Sequence, residues 1–159
     1  MLVFILTLVI IILDQLSKFA AIKYLKHQRP IVVIENFFQL IYVENRGAAF
    51  GILQGKRVLF LIITIAVILI ISFYLIKYYN QLNTFTRISL AMLIGGAIGN
   101  MIDRARFGYV VDFLSVKLIK GYDFPVFNIA DIFVVISTIF IVYLVLFDKF
   151  EIGDYNGFN

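Results

Sequence analysis

Two aspartates lie in segments that are otherwise apolar. Asp112 lies within the run YVVDFL at 109–114, and Asp131 directly precedes an uncharged stretch that extends over 132–147. An ionisable side chain in a membrane-embedded segment is costly, so it marks a candidate functional site. Two carboxylates in different environments suit acid/base chemistry, in which one takes a proton and the other supplies one. Asp112 and Asp131 are therefore the predicted catalytic pair.

The two aspartates are expected to differ in protonation. No basic residue stands within four positions of Asp112, so burial is expected to raise the pKa of its carboxyl. Asp131 stands at the start of a predicted helix, where the helix dipole favours an ionised carboxylate. Asn128, three positions earlier, also completes the spacing of a capping box. The capping box alone would explain Asn128 and Asp131 without catalysis.

Three further polar residues lie close together on one predicted helix. Asn100, Asp103 and Arg104 are spaced i, i+3 and i+4, so they share a helix face. The preceding stretch, 91–99, repeats a small residue every four positions and predicts a seam where another helix approaches closely. The alternative explanation is an anchor at the membrane interface, formed by Asp103 and Arg104, beside a packing seam.

Two more polar groups are candidates for supporting roles. Asp14 and Lys18 are four positions apart and predict an i,i+4 ion pair, with an interfacial anchor and a snorkelling Lys18 as the alternative. Asn45, Arg46 and Gly47 open a stretch rich in small residues, which let a ligand approach the backbone closely. An ordinary surface turn would explain the same stretch.

The composition indicates an integral membrane protein. Of its 159 residues 62% are hydrophobic and 15% are charged, and the mean hydropathy is +0.99. The chain has no cysteine and one histidine, His27, which excludes a thiol nucleophile, a Cys-based metal site and an HExxH zinc site. No metal and no other cofactor is expected. The net charge of +4 suits anionic lipid headgroups, and no basic run suggests nucleic acid as a partner.

Four membrane spans are predicted within a single domain over 1–159. Each is long enough to cross a bilayer, and they are placed at 1–25, 58–76, 85–102 and 129–147. A cleaved signal peptide is the alternative for the first span. That span lacks the basic residues that precede the apolar block of a signal peptide.

Two long connections, 26–57 and 105–128, alternate with a short polar one at 78–84. The first long connection contains two β-prone stretches, 31–34 and 37–43, and predicts a hairpin or small sheet at the membrane interface. An even number of spans places both termini on one side of the membrane. The two long loops then share the other side.

The distribution of basic residues places the long loops on the side of the membrane opposite to the one adopted below. The long loops and their edges carry ten Lys and Arg residues, whereas the other side carries three. Taken alone, the positive-inside rule predicts that the long loops are cytoplasmic.

Five sequence blocks occur in a particular order along the chain. They are DQLSK (14–18), NRGAAF (45–50), GGAIGNMIDR (95–104), VVDF (110–113) and FPVFNIAD (124–131). Together they resemble the lipoprotein signal peptidase family, also called signal peptidase II, over nearly the whole chain. The resemblance implies an all-α integral membrane protein of four transmembrane helices with a small extracytoplasmic β-cradle.

The resemblance also implies the activity. The family is a bacterial aspartic endopeptidase of the inner (cytoplasmic) membrane that removes signal peptides from diacylglyceryl-modified prolipoproteins, just before the lipidated cysteine. Its implied partners are these prolipoproteins, membrane lipids and cyclic peptide inhibitors of the globomycin type. It places both termini in the cytoplasm and the active site at the outer face, with the basic loops gripping lipid phosphates. We adopt this orientation because five ordered blocks outweigh a statistical charge bias.

The resemblance assigns catalysis to Asp112 and Asp131. It implies supporting or substrate-binding roles for Asp14, Lys18, Asn45, Arg46, Gly47, Asn100, Asp103, Arg104 and Asn128. We further expect 47–51 to form a flexible cover over the site. Two rival classes stay open: a non-enzymatic membrane scaffold or transporter subunit with intramembrane ion pairs, and an intramembrane aspartyl protease with a GxGD motif, which this chain lacks.

Overall fold

Four long helices form the body of the protein. The computed structural model describes residues 2–47, 55–119 and 122–150. The helices are α1 (Leu2–Leu25), α2 (Arg57–Lys77), α3 (Thr84–Phe107) and α4 (Ile129–Leu146). All four are long and apolar enough to cross a membrane, which confirms the prediction of four spans.

Helix α3 is the central helix and packs against each of the other three. A β-carbon built at Gly99 would lie 2.5 Å from Asp14 Oδ2 on α1, and one at Gly96 would lie 2.6 Å from the Ala130 carbonyl oxygen on α4. Only glycine permits these approaches. The predicted small-residue seam is thus confirmed, and it is the surface on which α1 and α4 meet α3.

The predicted end of the third span at residue 102 is too early, since α3 continues to Phe107. Asp103 is only 1% exposed, so its charge faces the protein interior and does not mark a membrane boundary. The helix ends at Gly108, whose φ of 82° is left-handed and whose N–H donates to the Arg104 carbonyl.

A small antiparallel sheet covers one end of the helices. Its strands are β1 (Ile31–Ile34), β2 (Phe38–Asn45), β3 (Val110–Ile119) and β4 (Tyr122–Asp123), in the order β1-β2-β3-β4. The predicted hairpin within 26–57 is confirmed as β1 and β2. The sheet also takes β3 and β4 from 105–128, which the sequence indicated only as a connection.

Two apolar clusters mark the two ends of the bundle. Ala21 and Leu25 of α1 pack with Val111 and Phe113 of β3, which fastens the sheet to the helices. The second cluster contains Leu75, Leu82, Leu90 and Ile94, and Val3, Ile141 and Phe150 pack against it. The beginning of α1 and the end of α4 therefore lie at the same end, opposite the sheet. We call the end that carries the sheet the site end, and the opposite end the terminal end.

Candidate active site

A cavity of about 760 Å³ opens at the site end, between the sheet and the ends of α3 and α4. Both predicted catalytic residues line it: Asp112 from β3 and Asp131 from the first turn of α4. Asn45, Asn100 and Arg104 also face the cavity. The fold therefore brings together groups that the sequence separates widely.

Asp112 is buried and lies on β3, an inner strand of the sheet. It pairs with Val43 across the β2–β3 ladder, and its side chain is 1% exposed. Its Oδ1 accepts a hydrogen bond of 2.6 Å from Asn128 Nδ2, and its Oδ2 accepts one of 2.9 Å from Asn45 Nδ2. Burial, with the charge of Asp131 adding to it, raises the pKa of Asp112 to about 7, although both amides oppose the shift.

Asp131 is half-buried and stands at the third position of α4. Its Oδ2 accepts a hydrogen bond from the Asn128 backbone N–H at 3.1 Å, while the Asp131 N–H donates to Asn128 Oδ1 at 2.9 Å. This is the predicted capping box. The other carboxylate oxygen of Asp131, Oδ1, accepts a hydrogen bond from Asn100 Nδ2 at 2.7 Å. Asp131 belongs to the capping box of α4 and also faces the cavity, so the two explanations are compatible.

Two asparagine amides are oriented by backbone N–H groups. Asn45 Oδ1 accepts from the Gly47 N–H at 3.0 Å, which turns Asn45 Nδ2 towards Asp112. Asn128 Oδ1 accepts from the Asp131 N–H, which turns Asn128 Nδ2 towards Asp112 as well. An amide has one accepting and one donating end, so occupying the oxygen fixes where the N–H bonds point.

A third amide, that of Asn100, is oriented by a charged side chain. Asn100 Oδ1 accepts from Lys18 Nζ at 2.9 Å and from Asn128 Nδ2 at 3.1 Å. Its Nδ2 consequently faces Asp131. Asn128 donates to Asp112 and Asn100 through its side chain and to Asp131 through its backbone, so it links both carboxylates.

Lys18 lies at the centre of a buried ion cluster beneath the cavity. Its Nζ lies 2.9 Å from Asp14 Oδ2 and 3.1 Å from Asp103 Oδ2, and all three side chains are at most 2% exposed. The predicted Asp14–Lys18 pair is confirmed. The alternative of a snorkelling Lys18 is wrong because the ammonium is buried, and the alternative of an Asp103–Arg104 anchor is wrong because Asp103 pairs with Lys18.

Gln15 is a member of this cluster that the sequence reasoning missed as a site residue. Its Nε2 donates to Asp14 Oδ2 and Asp103 Oδ1, at 3.1 Å each, and to the Gly99 carbonyl at 3.2 Å. The signal was its place beside Asp14. A glutamine in an apolar span must bury its amide against a partner.

The two predicted arginines occupy different parts of the cavity wall. Arg104 is half-buried, and its guanidinium lies 5.0 Å from the centre of the Phe60 ring. Within the described residues that guanidinium makes no hydrogen bond or ion pair. Arg46 is 64% exposed at the rim and pairs with Glu44 at 3.0 Å. Gly47 is described and buried, whereas the rest of the predicted cover, 48–51, lies outside the described residues.

The fold and the site define a multi-pass membrane protein with a carboxylate-lined cavity at one end of its helices. A family model described as signal peptidase (SPase) II matches residues 6–147. The chain belongs to the signal peptidase II family and is a membrane peptidase.

Individual relatives agree with this assignment. The chain is 45% identical to the lipoprotein signal peptidase of Halothermothrix orenii over 153 residues, which are 96% of this chain and 99% of the relative. It is 48% identical to the lipoprotein signal peptidase of Caldanaerobacter subterraneus subsp. tengcongensis over 87% of this chain and 91% of the relative. One solved structure, described as a bacterial membrane enzyme obtained by the in meso method at 2.3 Å resolution, superposes with a TM-score of 0.81 and 35% identity. That likeness covers 99% of this chain and 92% of the other.

Proposed function

We propose that this peptidase, which removes signal peptides from prolipoproteins, is an aspartic endopeptidase whose catalytic pair is Asp112 and Asp131. The observation that carries the proposal is the bridge through Asn128, which donates to both carboxylates at the wall of one cavity. The pKa of Asp112, raised to about 7, adds support because one member of such a pair must hold a proton.

The hydrolysis needs only these two groups and a water. Ionised Asp131 takes a proton from the water as the water oxygen bonds to the carbonyl carbon. At the same time Asp112 gives its proton to the carbonyl oxygen. In the resulting diol, Asp131 passes its proton to the amide nitrogen as the C–N bond breaks. A diol hydroxyl returns a proton to Asp112, so both carboxyls regain their starting states.

The substrate class is a prolipoprotein that carries diacylglycerol on its cysteine, and cleavage falls just before that cysteine. An apolar wall beside Asp131 suits acyl chains, and it includes Phe127, Ile132, Val135 and Ile136. Val135 is 56% exposed on the outer surface of α4, so this wall continues onto the lipid-facing side of the helix. An acyl anchor held there would fix the position of the peptide bond relative to the carboxylates. Cyclic peptide inhibitors of the globomycin type would occupy the same cavity.

Arg104 is the proposed contact to the substrate backbone. The Arg104 guanidinium faces the cavity and packs against the Phe60 ring. None of its N–H groups donates to another described residue. A peptide carbonyl or the developing oxyanion is the acceptor that such a group would bind.

The proposed location is the bacterial cytoplasmic membrane, with both termini in the cytoplasm and the active site at the outer face. The supporting geometry is that the cavity lies at the end opposite the beginning of α1 and the end of α4. Basic side chains of the outer loops would contact phosphates of membrane lipids.

The orientation is tested by labelling single cysteines, which is clean because the chain has none of its own. Asn36→Cys lies on the β1–β2 turn and Asn80→Cys on the α2–α3 turn, and both positions are exposed. In spheroplasts, an impermeant maleimide should label position 36 and spare position 80. The reverse pattern would favour the charge rule.

The catalytic pair is tested with a purified diacylglyceryl prolipopeptide in detergent. Asp112→Asn and Asp131→Asn should each lower kcat by at least about 100-fold, because acid/base groups contribute about 10²–10⁴-fold. The melting temperature of Asp131→Asn should stay near that of the wild type, and Asp112→Asn should melt no lower than the wild type. More than about a tenth of the wild-type activity in either variant would count against the pair. The same peptide without diacylglycerol should be cleaved far more slowly.

A further inference from the structure

The three asparagines of the site differ in what orients them. Asn45 and Asn128 are turned by backbone N–H groups that stay in place as long as the fold does. Asn100 is turned by the ammonium of Lys18, which touches neither carboxylate of the proposed pair through a hydrogen bond or ion pair in the described structure. We propose that Lys18 is a positioning residue for cleavage, which holds the Asn100 amide with its N–H towards Asp131.

The chemistry of the contacts admits only one orientation of the Asn100 amide. Lys18 can only donate, and Asn128 presents an N–H to the same oxygen. A flipped amide would set its NH₂ against both donors and its oxygen against the carboxylate of Asp131. Lys18, together with the Asn128 N–H, therefore keeps an Asn100 N–H directed at Oδ1 of the carboxylate proposed as the base.

Lys18 is itself held by two carboxylates that reach the catalytic backbone. Asp14 Oδ1 accepts from the Ala130 N–H at 2.9 Å, and Asp103 Oδ2 accepts from the Val111 N–H at 3.0 Å. Ala130 and Val111 are the residues immediately before Asp131 and Asp112. The cluster thus fixes the backbone beside each carboxylate as well as the amide between them.

The charged groups near Asp131 come from every element around it. Asp14 and Lys18 come from α1, Asp103 and Arg104 from α3, and Asp112 from β3. Removing Lys18 alone would leave two buried carboxylates unpaired, and breaking a buried pair in this way is strongly destabilising. The test must therefore remove a positive and a negative charge together.

The double variant Lys18→Met/Asp103→Asn keeps the net charge of the cluster, because one cation and one anion are lost. With the diacylglyceryl peptide we expect kcat to fall about 100-fold while KM stays within about threefold, as for a misplaced catalytic geometry. We also expect the Asn100 amide to lose its single orientation, which its side-chain resonances report. Lys23→Met, on the exposed surface at the end of α1, is the matched control and should behave as the wild type.

The proposal rests on the proposed function, and the outcomes separate the two. If the double variant folds and shows wild-type kcat, the positioning role of Lys18 is refuted. The aspartic mechanism would stand in that case as long as Asp112→Asn is inactive. A fall in kcat in a double variant whose Asn100 amide keeps one fixed orientation would mean a structural role for Lys18 and also refute the proposal.

A second measurement uses the wild-type protein, so it does not depend on how the double variant folds. In protein labelled with ¹⁵N-asparagine, the Asn100 side-chain amide is assigned by its loss in Asn100→Asp. One of its protons should resonate far downfield because it bonds to a carboxylate, and Asp131→Asn should remove that shift. Two sets of Asn100 signals, or a shift that ignores Asp131, would overturn the fixed orientation.

Discussion

Both ends of the helical bundle have an apolar cluster, but the site end adds a network of buried charged groups. At the terminal end, Leu75, Leu82, Leu90 and Ile94 pack into an apolar cluster. At the site end, six buried polar or charged side chains are no more than 9% exposed: Asp14, Lys18, Asn100, Asp103, Asp112 and Asn128. Apolar packing tolerates small movements, whereas a hydrogen-bonded network specifies the direction of each group.

The network at the site end is complete. Among the described residues, the one buried side-chain nitrogen or oxygen without a partner is Arg87 Nε, which lies on α3 near the terminal end. Every buried polar side-chain atom of the site end thus has a partner in the described structure. Such a site is organised before the substrate arrives, so most binding energy can act on the transition state. Substitutions at the site end should therefore lower activity, whereas substitutions at the terminal end should lower stability.

The largest effect is expected for Gly99→Ala at the site end. The new methyl group would lie 2.5 Å from Asp14 Oδ2, so Asp14 must move and disturb Lys18. We expect cleavage to fall about 100-fold, as for other small misplacements of a catalytic site. Ala66→Val, on the exposed face of α2, is the control and should cleave normally. Wild-type activity in Gly99→Ala would show that the site end is as tolerant as a packed core.

The opposite behaviour is expected for Leu82→Ala at the terminal end. Leu82 is fully buried, and truncating a buried leucine costs about 2–5 kcal/mol of folding stability. The free energy of unfolding in mixed micelles should fall by that amount, while kcat at a permissive temperature stays near the wild-type value. A loss of kcat without a loss of stability would mean that the two ends are coupled.

Asp112 should impose a cost on the fold that depends on pH. Its pKa is about 7 in the folded protein and lies near 3.8 without the fold, so folding favours the protonated carboxyl. The wild type should therefore lose stability relative to Asp112→Asn as the pH rises from about 4 to about 7, by up to about 4 kcal/mol at 1.36 kcal/mol per unit. The difference should be constant above that range. Denaturation of both proteins over pH 4–9 measures it, and parallel curves would contradict the buried, protonated Asp112.

The smallest effect is expected at the rim of the cavity. Arg46 is 64% exposed, and its guanidinium contacts Glu44, which is 29% exposed, and the ring of Tyr109. Because an exposed ion pair contributes little, Arg46→Gln should change kcat/KM by less than about threefold. Arg104→Gln, within the cavity, should cost about 10–100-fold because it removes a charged hydrogen bond to the substrate. Equal losses in the two variants would refute the proposed role of Arg104.

The sequence predicted the helices well, and the polar residues that it singled out come together at one end of the fold, for physical reasons. Long apolar runs specify membrane spans by length alone. A carboxylate among apolar neighbours, such as Asp112, is rare enough to indicate a site. These signals are local, so they can be read from neighbouring residues.

Two features could not be predicted because they depend on distant partners. Strand β3 forms by pairing with β2, and Asn45 is 67 positions from Asp112, so no local pattern reports the pairing. Asp103 and Arg104 are adjacent, which suggested a common anchor. Successive helical residues point about 100° apart, so Asp103 faces Lys18 while Arg104 faces the cavity.

The most direct test of the account is the pH dependence of kcat/KM for the wild type with the diacylglyceryl peptide in detergent. The proposed mechanism needs Asp131 ionised and Asp112 protonated, so the profile should be bell-shaped. Because the pKa of Asp112 is about 7, the descending limb should begin near that pH and then fall about tenfold per pH unit. A rate that stays level or rises up to pH 9 would contradict a protonated Asp112 as the acid of the catalytic pair.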